Sequence, residues 1–100
     1  MENYGCDMRG MLSFQILWLL SKKSMHGEQL AKELEKRRGE KPKAGTIYPA
    51  LKELKANKLI TGKKSGKLIT YSLTSDGKKS VKHAMVYFCR CFGDIFEEQR

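Results

Sequence analysis

A chain of 100 residues with 40% apolar content has room for one hydrophobic core and not for two. Its longest unbroken apolar runs, residues 16–20 and 84–89, are five and six residues, which excludes a membrane-spanning helix of ordinary length. A formal net charge of +9 suits a polyanionic partner, with a merely solvated Lys-rich face as the alternative.

The opening Met1-Glu2-Asn3-Tyr4-Gly5-Cys6-Asp7 lacks the basic-then-apolar order of a secretory leader, so a cytoplasmic location is expected. Residues 8–22 predict a first helix with two apolar stripes: Leu12, Ile16, Leu19 and Leu20 on one, Met11, Phe14 and Trp18 on the other. One stripe can face the chain's own core. The second needs another cover.

A break at Ser24-Met25-His26-Gly27 precedes a second helix carrying Leu30, Ala31 and Leu34. That helix ends in Lys36-Arg37-Arg38 before Gly39, the basic last turn and glycine stop of a helix C-terminus. Its carboxylates read as exposed i,i+4 partners, Glu28 with Lys32 and Glu33 with Arg37. With no phosphate-binding loop and no Ser/His/Asp spacing, the chain is not expected to be an enzyme.

The turn Glu40-Lys41-Pro42-Lys43 leads into the most informative stretch, a third helix over residues 44–57. At 100° per residue, Leu51 and Leu54 fall within about 40° of Ile47, while Gly45, Thr46, Pro49, Lys52 and Ala56 gather on the other side. A helix that buries one side and offers small, polar and basic groups on the other can enter a DNA groove. Pro49 is tolerable there because the carbonyl it fails to reach, that of Gly45, lies in the first turn.

Residues 59–61 and 68–73 change to a strand pattern, and the glycine-containing segment 62–67 between them predicts a hairpin turn bearing Lys63, Lys64 and Lys67. In the second strand Ile69, Tyr71 and Leu73 should point inward. Thr74 or Ser75 then caps a last helix, along which Val81, Ala84, Met85, Phe88, Phe92 and Ile95 form one stripe. This stripe is longer than a small core needs. With the spare stripe of the first helix it predicts a homodimer through Met11, Phe14, Trp18, Val81, Met85, Phe88, Phe92 and Ile95. The same aromatics, Phe14, Trp18, Phe88 and Phe92, together with Tyr87, also allow a cavity for a small aromatic ligand.

Between residues 36 and 67 the chain holds eleven Lys or Arg and two acids, so the entire formal charge excess falls in that third of the molecule. Such concentration suits a phosphate backbone. Cys6, Cys89 and Cys91 form no CxxC pair, and His26 and His83 have no ligand-spaced neighbour, so neither a metal nor another cofactor is expected. The thiols read as free, with redox sensing as an alternative. The predicted fold is mainly α with a small β-hairpin, an α+β winged helix-turn-helix. Residues 1–74 would form the DNA-binding unit and residues 75–100 a dimerisation helix, packed as one compact domain.

At this point the sequence resembles a known family. Residues 16–20 with Met25-His26-Gly27, then Gly45-Thr46-Ile47-Tyr48-Pro49-Ala50-Leu51, then Lys58-Leu59-Ile60, and finally Tyr71-Ser72-Leu73-Thr74-Ser75-Asp76-Gly77, are similar to the PadR family of transcriptional regulators. The resemblance implies a homodimeric repressor binding double-stranded DNA, with the third helix in the major groove and the hairpin, or wing, on flanking backbone. Thr46, Tyr48 and Pro49 would occupy the DNA-facing motif, and Tyr71 and Leu73 the core of the wing. Together with the charge pattern, the candidate DNA contacts are Lys41, Lys43, Gly45, Thr46, Tyr48, Pro49, Lys52, Lys55, Lys63, Lys64 and Lys67. Two positions depart from the family pattern: Glu28 stands where an aromatic is common, and Lys43 where a serine is common. An RNA-binding or protein-interaction winged helix is the competing reading.

Overall fold

The structure is a computed structural model that describes the backbone of residues 3–98 and the side chains of residues 11–98. The expectation for the Cys6 thiol lies outside these described side chains. In chain order the elements are α1 (Asn3–Lys22), β1 (Met25–His26), α2 (Gly27–Arg38), α3 (Ala44–Ala56), β2 (Ile60–Ser65), β3 (Leu68–Leu73) and α4 (Ser75–Glu98).

The three strands form one antiparallel sheet in the order β1-β3-β2. β1 is the element that sequence reading missed, taking its residues for a simple break. It is held by tertiary pairing, Met25 opposite Tyr71 and His26 opposite Thr70, and two residues carry no periodicity of their own. His26 also begins α2: its Nδ1 accepts from the Gln29 amide at 3.4 Å, and its own amide donates to Gln29 Oε1 at 3.0 Å, a reciprocal cap.

The core is built from the faces that periodicity identified. Leu12, Ile16, Leu19 and Leu20 of α1 meet Leu30, Ala31 and Leu34 of α2 and Ile47, Leu51 and Leu54 of α3, with Ile60, Tyr71 and Val81 closing the cluster. Burial pushes the Tyr71 phenol above its ordinary range, with a smaller contribution from Tyr48. α1 begins at Asn3, earlier than its first apolar stripe. Arg38 donates to Gln15 Oε1 at 2.6 Å and so ties the end of α2 to α1.

The wing differs from expectation in register. Ser65 pairs with Leu68, so the turn is only Gly66-Lys67, and Lys63 and Lys64 belong to β2 instead of a loop. Gly66 has φ 62°, the positive value that a two-residue type II′ hairpin places at its first turn position. Tyr71 is buried and Leu73 half-buried as predicted, but Ile69 is exposed, because the strand runs past the edge of the core before it turns.

A junction fixes the wing to α3 and α4. At the end of α3 the Leu59 amide bonds to the Leu54 carbonyl and the Lys58 amide to that of Lys55, both at 3.0 Å, with Lys58 left-handed at φ 63°. Thr74, the cap of α4, accepts from the Gly77 amide at 2.9 Å while its hydroxyl donates to the Lys58 carbonyl at 2.8 Å. Gly77 then lies so close to the α3–β2 connection that a Cβ there would sit 2.0 Å from the Leu59 carbonyl oxygen. The Leu-Thr-x-x-Gly stretch of the sequence is therefore the joint between wing and last helix.

Candidate nucleic-acid interface

α3 buries Ile47, Leu51 and Leu54 and leaves Gly45, Thr46, Tyr48, Pro49, Lys52 and Ala56 exposed, the division its helical angles predict. Pro49 does not interrupt it, since the helix runs on to Ala56. Its cap residue Lys43 makes no side-chain bond to the first turn, so a serine's usual capping oxygen is missing. In its place stands a cation at the mouth of the exposed face.

All eleven residues singled out from sequence are solvent-exposed. α3 supplies Gly45, Thr46, Tyr48, Pro49, Lys52 and Lys55, the preceding turn Lys41 and Lys43, and the wing Lys63, Lys64 and Lys67. The backbone joint at Leu59 holds the wing beside α3, and the Lys55 ammonium comes within 3.6 Å of where a Gly62 Cβ would lie. The exposed lysines thus sit on three neighbouring segments, the turn, α3 and the wing, with one exposed aromatic on α3.

That aromatic, Tyr48, is 48% exposed and rests across the start of α2, where its hydroxyl oxygen would be 2.8 Å from a Cβ added at Gly27. A side chain at position 27 would have to displace the ring. The His-Gly pair and the Thr-Ile-Tyr-Pro stretch, separate in sequence, thus meet in space.

One contact here differs from the sequence reading. Glu28 pairs with Lys41 at 2.5 Å, across the α2–α3 turn, instead of with Lys32 on its own helix. The Lys41 hydrogen bond and charge hold the Glu28 carboxyl below the usual range and raise Lys41 in turn. Glu33 does pair with Arg37 at 2.9 Å as spacing predicted, and also with Lys36 at 3.2 Å.

A second surface lies along α1 and α4. Phe14 stacks on Phe88 with ring centroids 5.7 Å apart, and Phe88 in turn meets Phe92 at 4.9 Å and Phe96 at 6.0 Å. Trp18 lies under two cations, Lys22 at 4.8 Å and Arg37 at 5.4 Å from its ring. Phe14, Trp18, Met85 and Phe88, with Gln15, Arg37 and Cys89, line a groove of about 310 Å³. Phe92, expected among its walls, only supports it through Phe88.

Val81 is corrected outright: it is 4% exposed inside the protomer's own core and has no surface to offer a partner. Phe14, Trp18 and Phe88 are half-buried within the chain, Phe14 by stacking on Phe88, and keep part of their surface exposed. Beyond Val81, however, α4 exposes Met85, Val86, Tyr87, Phe92, Ile95 and Phe96, and α1 exposes Met11. Cys89 and Cys91 are free and exposed, and a hydrogen bond with Cys91 pushes the Tyr87 phenol up. Among the described residues no cluster of His, Cys, Asp and Glu could hold a metal, and no helix is long and apolar enough to cross a membrane.

Comparison with solved structures places the whole architecture. A PadR family transcription regulator from Clostridium difficile is 27% identical, with a TM-score of 0.74 over 87% of this chain and 95% of that one. RosR of H. salinarum is 26% identical, with a TM-score of 0.75 over 81% of this chain and 74% of its own. A PadR-like transcription factor from Bacteroides fragilis, 22% identical, shares the fold at a TM-score of 0.81 over 97% and 98% of the two chains. No curated protein matches the sequence. Residues 16–83, from the core of α1 through the wing to the first turns of α4, match the description "Transcriptional regulator PadR-like family". With this match over most of its length and the same four helices and small sheet as its structural neighbours, the chain belongs to the PadR-like family of transcriptional regulators, which are not enzymes.

Proposed function

We propose that the chain is a sequence-specific, homodimeric DNA-binding repressor whose α3 enters the major groove while the wing lies on flanking backbone. The observation that carries this reading is the exposed face of α3, small and polar at Gly45, Thr46 and Pro49 and rimmed by Lys43, Lys52, Lys55 and the wing lysines. Thr46 is the residue placed to meet a base edge, and the lysines are placed to meet phosphates. An RNA-binding winged helix would want several exposed stacking aromatics in the basic segment 36–67, whereas Tyr48 is its one aromatic. Residues 1–74 serve as the DNA-binding unit and residues 75–100 as the dimerisation helix.

The two kinds of contact separate in solution. Lys64→Ala is expected to weaken binding to every duplex alike and to reduce the slope of log affinity against log salt by about one per protomer. Thr46→Ala is expected to cost about 1–3 kcal/mol at one position of each half-site and leave that slope unchanged. Titrations across a salt series on operator and unrelated duplexes measure both. An unchanged slope in Lys64→Ala would remove the wing from the contact surface.

The groove between α1 and α4 supports a further part of this reading, relief of repression by a small planar apolar ligand stacked on Trp18 and Phe88. Such a ligand releases DNA only if it prefers one spacing of the two recognition helices to another. Planar aromatic compounds should quench Trp18 fluorescence and weaken DNA binding in the natural protein but not in Trp18→Ala. Quenching with no effect on DNA would make the groove mere packing.

A further inference from the structure

We infer that Glu28 sets the strength of sequence-independent DNA binding by keeping Lys41 out of phosphate contact, an inference that rests on the DNA-binding reading above. Lys41 sits in the turn before α3, next to Lys43, on the rim where a phosphate strand would pass. It is not free there. Its ammonium is 2.5 Å from a Glu28 carboxylate oxygen, and both side chains remain about half exposed, at 44% and 52%.

Glu28 is well placed to retain it. The carboxylate lies in the first turn of α2, where the helix dipole favours an anion, and the other lysine near it, Lys32, acts on it more weakly than Lys41 does. Lys41 in turn feels Glu35 and Tyr48 as well as Glu28. Tyr48 leans over Gly27, the residue before Glu28, so the pair stands beside the exposed aromatic of α3 and not on a remote face.

A groove runs between these groups, lined by Gly27, Glu28, Lys41, Lys43, Ala44 and Tyr48. Without the carboxylate it would present two lysines, a phenol and a helix N-terminus, all suited to a phosphate oxygen. The carboxylate occupies Lys41 and adds a negative charge that repels the backbone. A small repressor gains from this, because sequence-independent affinity holds it on the many competing sites of a genome.

The test is one double-mutant cycle read by fluorescence anisotropy on an unrelated labelled duplex, using the full chain across a salt series. Glu28→Gln keeps the shape of an exposed side chain and should fold as the natural protein does, which circular dichroism checks. It is expected to bind about fivefold or more tighter at 0.1 M salt and to steepen the salt slope by about 0.9 per protomer. In a Lys41→Gln background the same Glu28→Gln change should steepen the slope by less than half as much, and Lys41→Gln alone should alter it little. Equal steepening in both backgrounds, or none in Glu28→Gln, overturns the inference while leaving DNA binding intact. A natural protein that binds no duplex, or binds with no salt dependence, removes the DNA-binding reading itself and this inference with it.

Discussion

Gly77→Ala is expected to unfold the wing's attachment and lower the thermal midpoint by roughly 10–20 °C, a loss of about 3 kcal/mol or more for a domain of this size. The opposing effect is known in sign and size: alanine in place of glycine inside a helix ordinarily gains about 0.5–1 kcal/mol. Here it cannot. The added methyl would lie 2.0 Å from the Leu59 carbonyl oxygen and 2.9 Å from Leu73 Cδ2, and backbone cannot swing aside as a side chain can. α4 would have to retreat, breaking the Thr74 bonds to Lys58 and Gly77. Gly93 lies in the same helix with nothing within 4 Å of its Cβ position, so Gly93→Ala should follow propensity and stabilise. Calorimetry on both variants gives the comparison, and a Gly77→Ala protein as stable as the natural one would contradict the close approach of α4 to Leu59.

The second large effect is on assembly. If the exposed residues of α4 pack on a second copy, Ile95→Asp places a carboxylate in that contact once per protomer, at several kcal/mol each if it stays unpaired. Ile95 is 53% exposed in the protomer, so the substitution spares the chain's own core. Phe88→Asp would confuse the two, because Phe88 stacks on Phe14 within the protomer. Ile95→Asp is expected to sediment as a folded monomer and to bind DNA about a hundredfold or more weaker, since two linked half-site contacts then become independent ones. A natural protein that is itself monomeric at micromolar concentration would contradict the dimer and leave the apolar end of α4 unexplained.

Much of this was legible from residue types and periods alone. The faces of α2 and α3 and the inner stripe of α1 follow helical spacing, because burial there is decided by which residues share an angle. The exposed set on α3 came from the same angles, and the resemblance added the wing motif whose structural reason is the joint at Thr74 and Gly77. What was not legible depends on partners distant in sequence. β1 exists only because β3 lies beside it, and Ile69 is exposed only because the wing outruns the core. Val81 looked like one more residue of a long stripe, yet the first turns of α4 cross the core before the helix leaves it. Glu28 was assigned to Lys32 by helical spacing, which is blind to a lysine arriving from a turn thirteen residues on.

The most direct test of the central claim is selection of bound sequences from a random duplex library by the full chain at near-physiological salt. The account predicts one enriched motif in two related half-sites whose centres lie about one helical turn, roughly 34 Å, apart, matching two α3 helices held at fixed spacing. Binding that enriches no sequence, or a lone half-site with no second one at fixed distance, would contradict it.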